Sequence, residues 1–196
     1  MTALSSPELR ERVQAIIASR EAHQHQLLAW HQAERPDKAT SDSEWRRQLN
    51  PHEYHVLREK GTEPKGGEYD AFYPAASDGH FACRGCGRPL YSAAAKFKSG
   101  CGWPAFDRCY KNAVDVTVDE SHGLYRIEIT CAGCDGHLGH VFAGERMTSS
   151  NERHCVNSVS VTFVKGAPPC AEEECVTSMQ KLAKIKKPPA AASSSD

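Results

Sequence analysis

The chain has no long apolar run. No stretch of it approaches the roughly 20 consecutive apolar residues that a membrane-spanning helix needs, and no membrane role is expected. It also lacks a charge excess of either sign. Lys and Arg number 24 against 25 Asp and Glu, a formal net charge of −1 over 196 residues. A general binder of nucleic acid or of anionic lipid would carry a basic excess, so neither partner is expected. Met1 to Glu11 holds acidic side chains and no apolar h-region, which speaks against a secretory signal or a mitochondrial presequence. The cytoplasm, a reducing compartment, is the expected location. No internal repeat is found beyond two short cysteine motifs.

What is present is cysteine, nine of them, an odd count. In a reducing compartment such residues are read as metal ligands or catalytic thiols before a disulfide framework. Cys83-Arg84-Gly85-Cys86 and Cys131-Ala132-Gly133-Cys134 are two CxxC knuckles, each with Gly before its second Cys. Two intervening residues let both sulfurs reach one ion, and the small residues permit the tight turn. One knuckle alone is a weak signal and could be redox-active. Two with matching chemistry point to four thiolates around one structural zinc, a closed tetrahedral shell that leaves no place for substrate. Most of a domain lies between the pairs, so the ion would clip distant segments together.

The other cysteines are Cys101, Cys109, Cys155, Cys170 and Cys175. Cys155 follows Arg153-His154 and precedes an alternating run, Val156 to Val164. Val159, Val161 and Phe163 fall on one face of that run and Ser158, Ser160 and Thr162 on the other, the period of a half-buried strand headed by the cysteine. Cationic neighbours favour thiolate over thiol, although a buried small residue at a strand start is the commoner role for such a cysteine. Cys101 sits between Gly100 and Gly102, with Trp103 beside it, in what reads as a mobile, accessible loop. A Trp there can be core or the wall of a pocket for a small apolar group. His137 and His140, in His137-Leu138-Gly139-His140-Val141-Phe142, directly follow the second knuckle. With the metal shell complete without them, they suit hydrogen bonding and proton transfer, or a structural role.

Three divisions are expected. Residues 1–42 read as a helical extension, with Leu9, Val13, Ile16 and Ile17 at helical spacing and surface histidines His23, His25 and His31. Residues 43–167 form the main domain. Asn50-Pro51-His52-Glu53 is a helix start, Tyr54, Val56 and Leu57 its apolar face, and Gly61 its expected end. From about Gly79 the alternating runs Val114-Val116-Val118 and Tyr125-Ile127-Ile129, divided by polar turns, predict antiparallel sheet. Residues 168–196 form a tail with little apolar content, expected to be partly disordered. The fold class is mainly β with a few peripheral helices.

In order, Cys83-x-x-Cys86, Ser99-Gly100-Cys101-Gly102-Trp103-Pro104, Ser121-His122-Gly123, Arg126-Ile127-Glu128, Cys131-x-x-Cys134, His137-Leu138-Gly139-His140-Val141-Phe142 and Arg153-x-Cys155-Val156-Asn157-Ser158 resemble the type B methionine sulfoxide reductases, over roughly 45–167. The resemblance implies two antiparallel sheets with a structural zinc held by Cys83, Cys86, Cys131 and Cys134. It implies reduction of the R epimer of methionine sulfoxide, protein-bound or free, with Cys155 as nucleophile and Cys101 as resolving thiol. Trp103, Arg153 and Phe142 would bind substrate. His140 is the expected proton donor, with His137 and Asn157 orienting. Thioredoxin would recycle the disulfide, and a monomer is expected. Two departures stand out: His154 replaces the usual Tyr or Phe, and Ala143-Gly144-Glu145-Arg146 replaces the usual turn, in a loop one residue longer. A zinc-stabilised binding module would need neither Cys155 nor Cys101, and a disulfide exchanger would use the knuckles themselves.

Overall fold

The computed structural model describes residues 35–166. The stretch with His23, His25 and His31 and the tail with Cys170 and Cys175 lie outside the described residues. Two short helices open the described part. Helix α1 (Asp42–Gln48) and helix α2 (Pro51–Glu59) each start on a capping box: Ser41 and Asn50 accept the N–H groups of Glu44 and Glu53, whose carboxylates accept in return. Each box satisfies two of the donors that a helix start leaves open. Helix α2 ends one residue earlier than Gly61 suggests. Lys60 takes the left-handed position itself, at φ 59°, and its ammonium meets the buried carboxylate of Glu128 at 2.7 Å.

Nine strands follow among the described residues, all paired antiparallel. Strands β1 (Gly79–Cys83), β2 (Pro89–Ser92) and β9 (Val161–Lys165) form a sheet in the order β2-β1-β9. Strands β3 (Lys96–Phe97), β4 (Ala105–Phe106), β5 (Val114–Asp119), β6 (Arg126–Cys131), β7 (His137–Ala143) and β8 (Glu152–Val156) form the second, ordered β3-β4-β8-β7-β6-β5. The mainly β class with two antiparallel sheets is therefore as the sequence suggests. The core contains Phe81, Tyr91, Phe106, Leu90, Leu138, Ile129 and Val156, all fully buried, with Tyr91 stacked on Phe106 at 4.2 Å. Trp45 and Leu57 bring both helices into the same core.

The run from Val156 to Val164 is not one strand. A 3-10 turn, Ser158–Ser160, divides it, and its two ends serve different sheets. Cys155 is consequently an interior residue of β8, not the head of a strand. Alternation misleads here because the polar residues of the run are inside: Ser158 and Ser160 are buried while Val159 is half-buried. Buried partners from distant parts of the chain hold the turn. The carboxylate of Glu63 accepts the N–H groups of Ser158 and Val159, and Ser160 Oγ donates to the carbonyl of His137.

Candidate functional site

The strand register assembles the site. Cys155 lies opposite His140, His140 opposite Glu128, and Glu128 opposite Thr117. Cross-strand partners point to the same face of a sheet, so these four form one row across the large sheet. The neighbouring row holds Arg153 opposite Phe142, and Arg126 opposite Asp119. Gly139 makes this spacing workable: a Cβ there, at φ 153°, would stand 2.0 Å from the backbone oxygen of Cys155.

Cys101 Sγ is 3.7 Å from Cys155 Sγ. A disulfide holds its sulfurs about 2.05 Å apart, so closure needs a shift of under ~2 Å. The Cys101 loop is thus already folded against its partner, not waiting at a distance as the flanking glycines suggest. Gly100 and Gly102 supply the positive φ angles of the turn, and Ser99 Oγ hydrogen-bonds the Cys101 sulfur at 3.1 Å. Cys109 is buried in the core.

Burial pushes the Cys155 thiol up to about 12; Cys101 pushes it the same way, and Arg153 opposes both. Burial also works against a Cys101 thiolate, but hydrogen bonds from Ser99, the Trp103 backbone and Cys155 outweigh it and bring Cys101 below the ordinary thiol value. The pair therefore places its first negative charge on Cys101. Of the two cationic neighbours expected to activate Cys155, only Arg153 shares its face. His154 alternates to the other side, is fully buried, and bonds Glu152 at 3.1 Å and Tyr91 at 3.3 Å. Its departure from the family pattern thus bears on the core, not on the rim of the site. Arg153 is itself engaged: Glu145, in the altered turn, holds its guanidinium at 2.7 and 2.8 Å, and Phe142 lies beneath it at 4.4 Å.

Cys155 lies in a cleft of about 130 Å³ lined by Thr62, Trp103, Arg126, Gly139, His140, Phe142, Val156 and Asn157. Trp103 Nε1 donates to the carbonyl of Glu63, and Asn157 accepts the N–H of Glu63 while donating to the carbonyl of Leu138. Asn157 thus spends its amide on backbone.

The four knuckle cysteines meet elsewhere. Their sulfurs all lie within 4.8 Å of one another, with Cys83 to Cys134 at 3.7 Å and Cys86 to Cys131 at 3.6 Å. A tetrahedral zinc with bonds of about 2.3 Å spaces its sulfurs by about 3.8 Å, so the set fits such an ion. All four are at most 6 % exposed, which removes the access a redox-active CxxC needs. The two turns match: Gly87 and Asp135 hold the left-handed position and donate to the carbonyls of Cys83 and Cys131.

With this geometry in view, comparison with known proteins is decisive. The SelR domain family matches residues 49–165. Peptide methionine sulfoxide reductase B5 of Oryza sativa subsp. japonica is 54 % identical over 128 residues, 64 % of this chain and 90 % of that protein. The Arabidopsis thaliana protein of the same name is 52 % identical over 125 residues, 63 % of this chain and 86 % of that one. The chain belongs to the peptide methionine sulfoxide reductase B family.

In this family member each histidine of the HLGH segment has its own carboxylate: Glu128 lies in the Arg126-Ile127-Glu128 motif, while Asp119 lies in none of the motifs. His140, which lines the cleft, bonds Asp119 at 2.7 Å. Burial lowers its pKa, with Asp119 pulling the other way. His137 is buried behind it, 5.5 Å away ring to ring, with Nδ1 on Glu128 at 2.7 Å. Its Nε2 is buried without a hydrogen-bond partner among the described residues. Glu63 and Thr62 were also missed. The Arg126-Ile127-Glu128 motif carried the signal for Glu128; nothing local marks Glu63.

Proposed function

We propose that this chain reduces the R epimer of methionine sulfoxide to methionine. The observation that carries the reading is the Cys155–Cys101 pair, 3.7 Å apart, in a cleft that also holds Trp103 and His140. The substrate side chain enters with its S-methyl against Trp103. The Cys155 sulfur bonds the sulfoxide sulfur, and its displaced proton, passed through His140, goes to the sulfoxide oxygen. The new S–S bond and the substrate's S–O bond then break as the protonated oxygen passes to the Cys155 sulfur, so methionine leaves and Cys155 is left as a sulfenic acid. A thiol and a sulfoxide thus become a sulfenic acid and a thioether, so a Cys155 that rests protonated brings the proton the oxygen requires. His137 and Asn157 act as positioning residues, and Arg153 and Phe142 border the substrate. The Cys101 thiol then displaces water from the sulfenic acid, forming the disulfide. A thioredoxin-type dithiol reduces that disulfide by exchange.

Cys83, Cys86, Cys131 and Cys134 would hold one zinc ion, which stabilises the fold through a closed shell of four thiolates. The working form is a monomer in the cytoplasm, acting on oxidised proteins and on free methionine sulfoxide. No helix among the described residues is long and apolar enough to cross a membrane. The test is incubation with each epimer of methionine sulfoxide and dithiothreitol. Methionine is expected from the R epimer only; methionine from the S epimer, or from neither, overturns the reading.

A further inference from the structure

The two sulfurs of the site differ in what they can attack unaided. A sulfoxide reacts at Cys155 because the cleft holds it there. A small oxidant that the cleft does not grip reacts where a thiolate is within reach, since the thiolate is the nucleophile. Both cysteines are half-buried, but burial keeps the Cys155 thiol protonated, whereas the surroundings of Cys101 favour its charge.

The geometry of the Cys101 loop shows why. Ser99 Oγ accepts the Cys101 N–H at 3.3 Å and donates its own hydrogen to Cys101 Sγ at 3.1 Å. One hydroxyl is thus oriented by the backbone and turned onto the sulfur. The Cys155 thiol, at 3.7 Å, is a second donor. Two cations lie in electrostatic range: Arg153, and Lys96, whose ammonium sits over the Tyr73 ring at 3.7 Å. The loop is tied down on one flank, where Gly66 N–H donates to the carbonyl of Gly102 at 2.9 Å. The other flank is open, since a Cβ on Gly100 would meet nothing within 4 Å.

We propose that the chain also reduces small hydroperoxides, with the roles of the two cysteines exchanged: Cys101 attacks the peroxide and Cys155 resolves. The Cys101 thiolate attacks one peroxide oxygen. The S–O bond forms as the O–O bond breaks, and the departing alkoxide or hydroxide takes a proton from water. The sulfur is oxidised to a sulfenic acid, and the peroxide is reduced to an alcohol or to water. The Cys155 thiol, 3.7 Å away, then bonds the Cys101 sulfur, and its proton leaves with the hydroxyl as water. The product is the same disulfide, reached from its other end, and a dithiol reduces it by exchange. Neither step calls on His140 or on the Trp103 ring, so this activity stands or falls separately from the reductase reading.

The test follows loss of hydrogen peroxide in dithiothreitol, with a Cys101→Ser, Cys155→Ser double variant as the blank for the other thiols. The native chain is expected to consume peroxide about ten-fold faster than the blank; a rate no greater than the blank's overturns the proposal. The single variants assign the order. With peroxide and dimedone, Cys155→Ser should take the adduct on Cys101 about ten-fold faster than Cys101→Ser takes it on Cys155, because reactivity follows the thiolate fraction. Equal or faster labelling of Cys155 overturns the exchange of roles. A third measurement needs no variant. One equivalent of peroxide, without sulfoxide, should give the Cys101–Cys155 disulfide as the first product in a non-reducing peptide map of the native chain. Oxidation of any other cysteine ahead of that pair overturns the proposal. A chain that reduces the sulfoxide but fails these assays keeps the reductase reading and loses this one.

Discussion

Cys155 and Cys101 compete for one negative charge, and the surroundings of each decide the outcome. Cys101 has Ser99 Oγ and the Trp103 backbone; Cys155 has burial against it and a shared Arg153 in its favour. Both electrostatic effects of Cys101 on Cys155, repulsion and hydrogen bonding, raise the Cys155 pKa above what burial alone does. Cys101→Ser removes the competing thiolate, so the Cys155 pKa is expected to fall below about 12, while burial, the largest cause, still holds it above the ordinary thiol value. Alkylation of that variant by iodoacetamide as a function of pH reads this directly; an unmoved midpoint would show that the two sulfurs do not interact. The same variant should yield one methionine per chain and then stall with thioredoxin, because the thiol 3.7 Å from the Cys155 sulfur is gone. Continued thioredoxin-dependent cycling would transfer the resolving role to another cysteine. Cys155→Ser should yield no methionine with any reductant.

At the scale of elements, β7 is the strand that binds the site together. It carries His137, Gly139, His140 and Phe142, and it lies between β6 and β8. Gly139→Ala would press a methyl into the Cys155 backbone, 2.0 Å away, and neither strand can yield without breaking the ladder. A loss of at least about 3 kcal/mol is expected in denaturant unfolding. The Glu128–His137 pair bridging β6 and β7 gives a second test. Burial raises the Glu128 pKa, but His137 and Lys60 outweigh it and hold the carboxyl at about 2, below its ordinary 4.5. A depressed carboxylate stabilises fully above its unfolded value and ceases to as pH falls through its folded value. The contribution, on the order of 3 kcal/mol, should thus be complete above about pH 4.5 and vanish toward pH 2. The gap in melting temperature between the native chain and Glu128→Gln should close over that window, and a gap independent of pH would refute the assignment. Such elements differ in how far the sequence discloses them. The helix start at Asn50 and the alternation of β5 and β6 are local and were legible, whereas the capping box at Ser41 was not read. The break at Ser158–Ser160 was not, because the carboxylate that stabilises it belongs to Glu63, far away in sequence, and alternation alone cannot separate a polar outer face from a polar residue bonded inside.

For the whole molecule, the knuckles are the join. Cys83 ends β1 of the small sheet, with Cys86 in the turn that follows, whereas Cys131 ends β6 of the large one, with Cys134 in the turn between β6 and β7. Helix α2 fastens onto the same place, since Arg58 donates to the carbonyl of Cys134 at 2.8 Å. A side-chain carbon on Gly85 would come within 3.2 Å of Trp45, and one on Gly136 within 3.0 Å of Leu57, so both helices rest on the knuckles. This much was readable, because a pair of CxxC motifs states its chemistry locally, whereas which elements the ion would tie together depended on the register. Without the ion, four buried thiols would crowd one another at separations set for a metal, and the two sheets would lose their common anchor. Replacing Cys131 by Ser is therefore expected to take bound zinc from one per chain to none and to lower the melting temperature by roughly ten degrees, the equivalent of a few kcal/mol. Metal content by atomic absorption and melting by circular dichroism check both. Because the four-sulfur shell has no open position, the folded variant at low temperature should still complete a single turnover with methionine-R-sulfoxide. Loss of that turnover without a change in melting would move the metal from the fold into the chemistry, and unchanged zinc content would remove Cys131 from the ligand set.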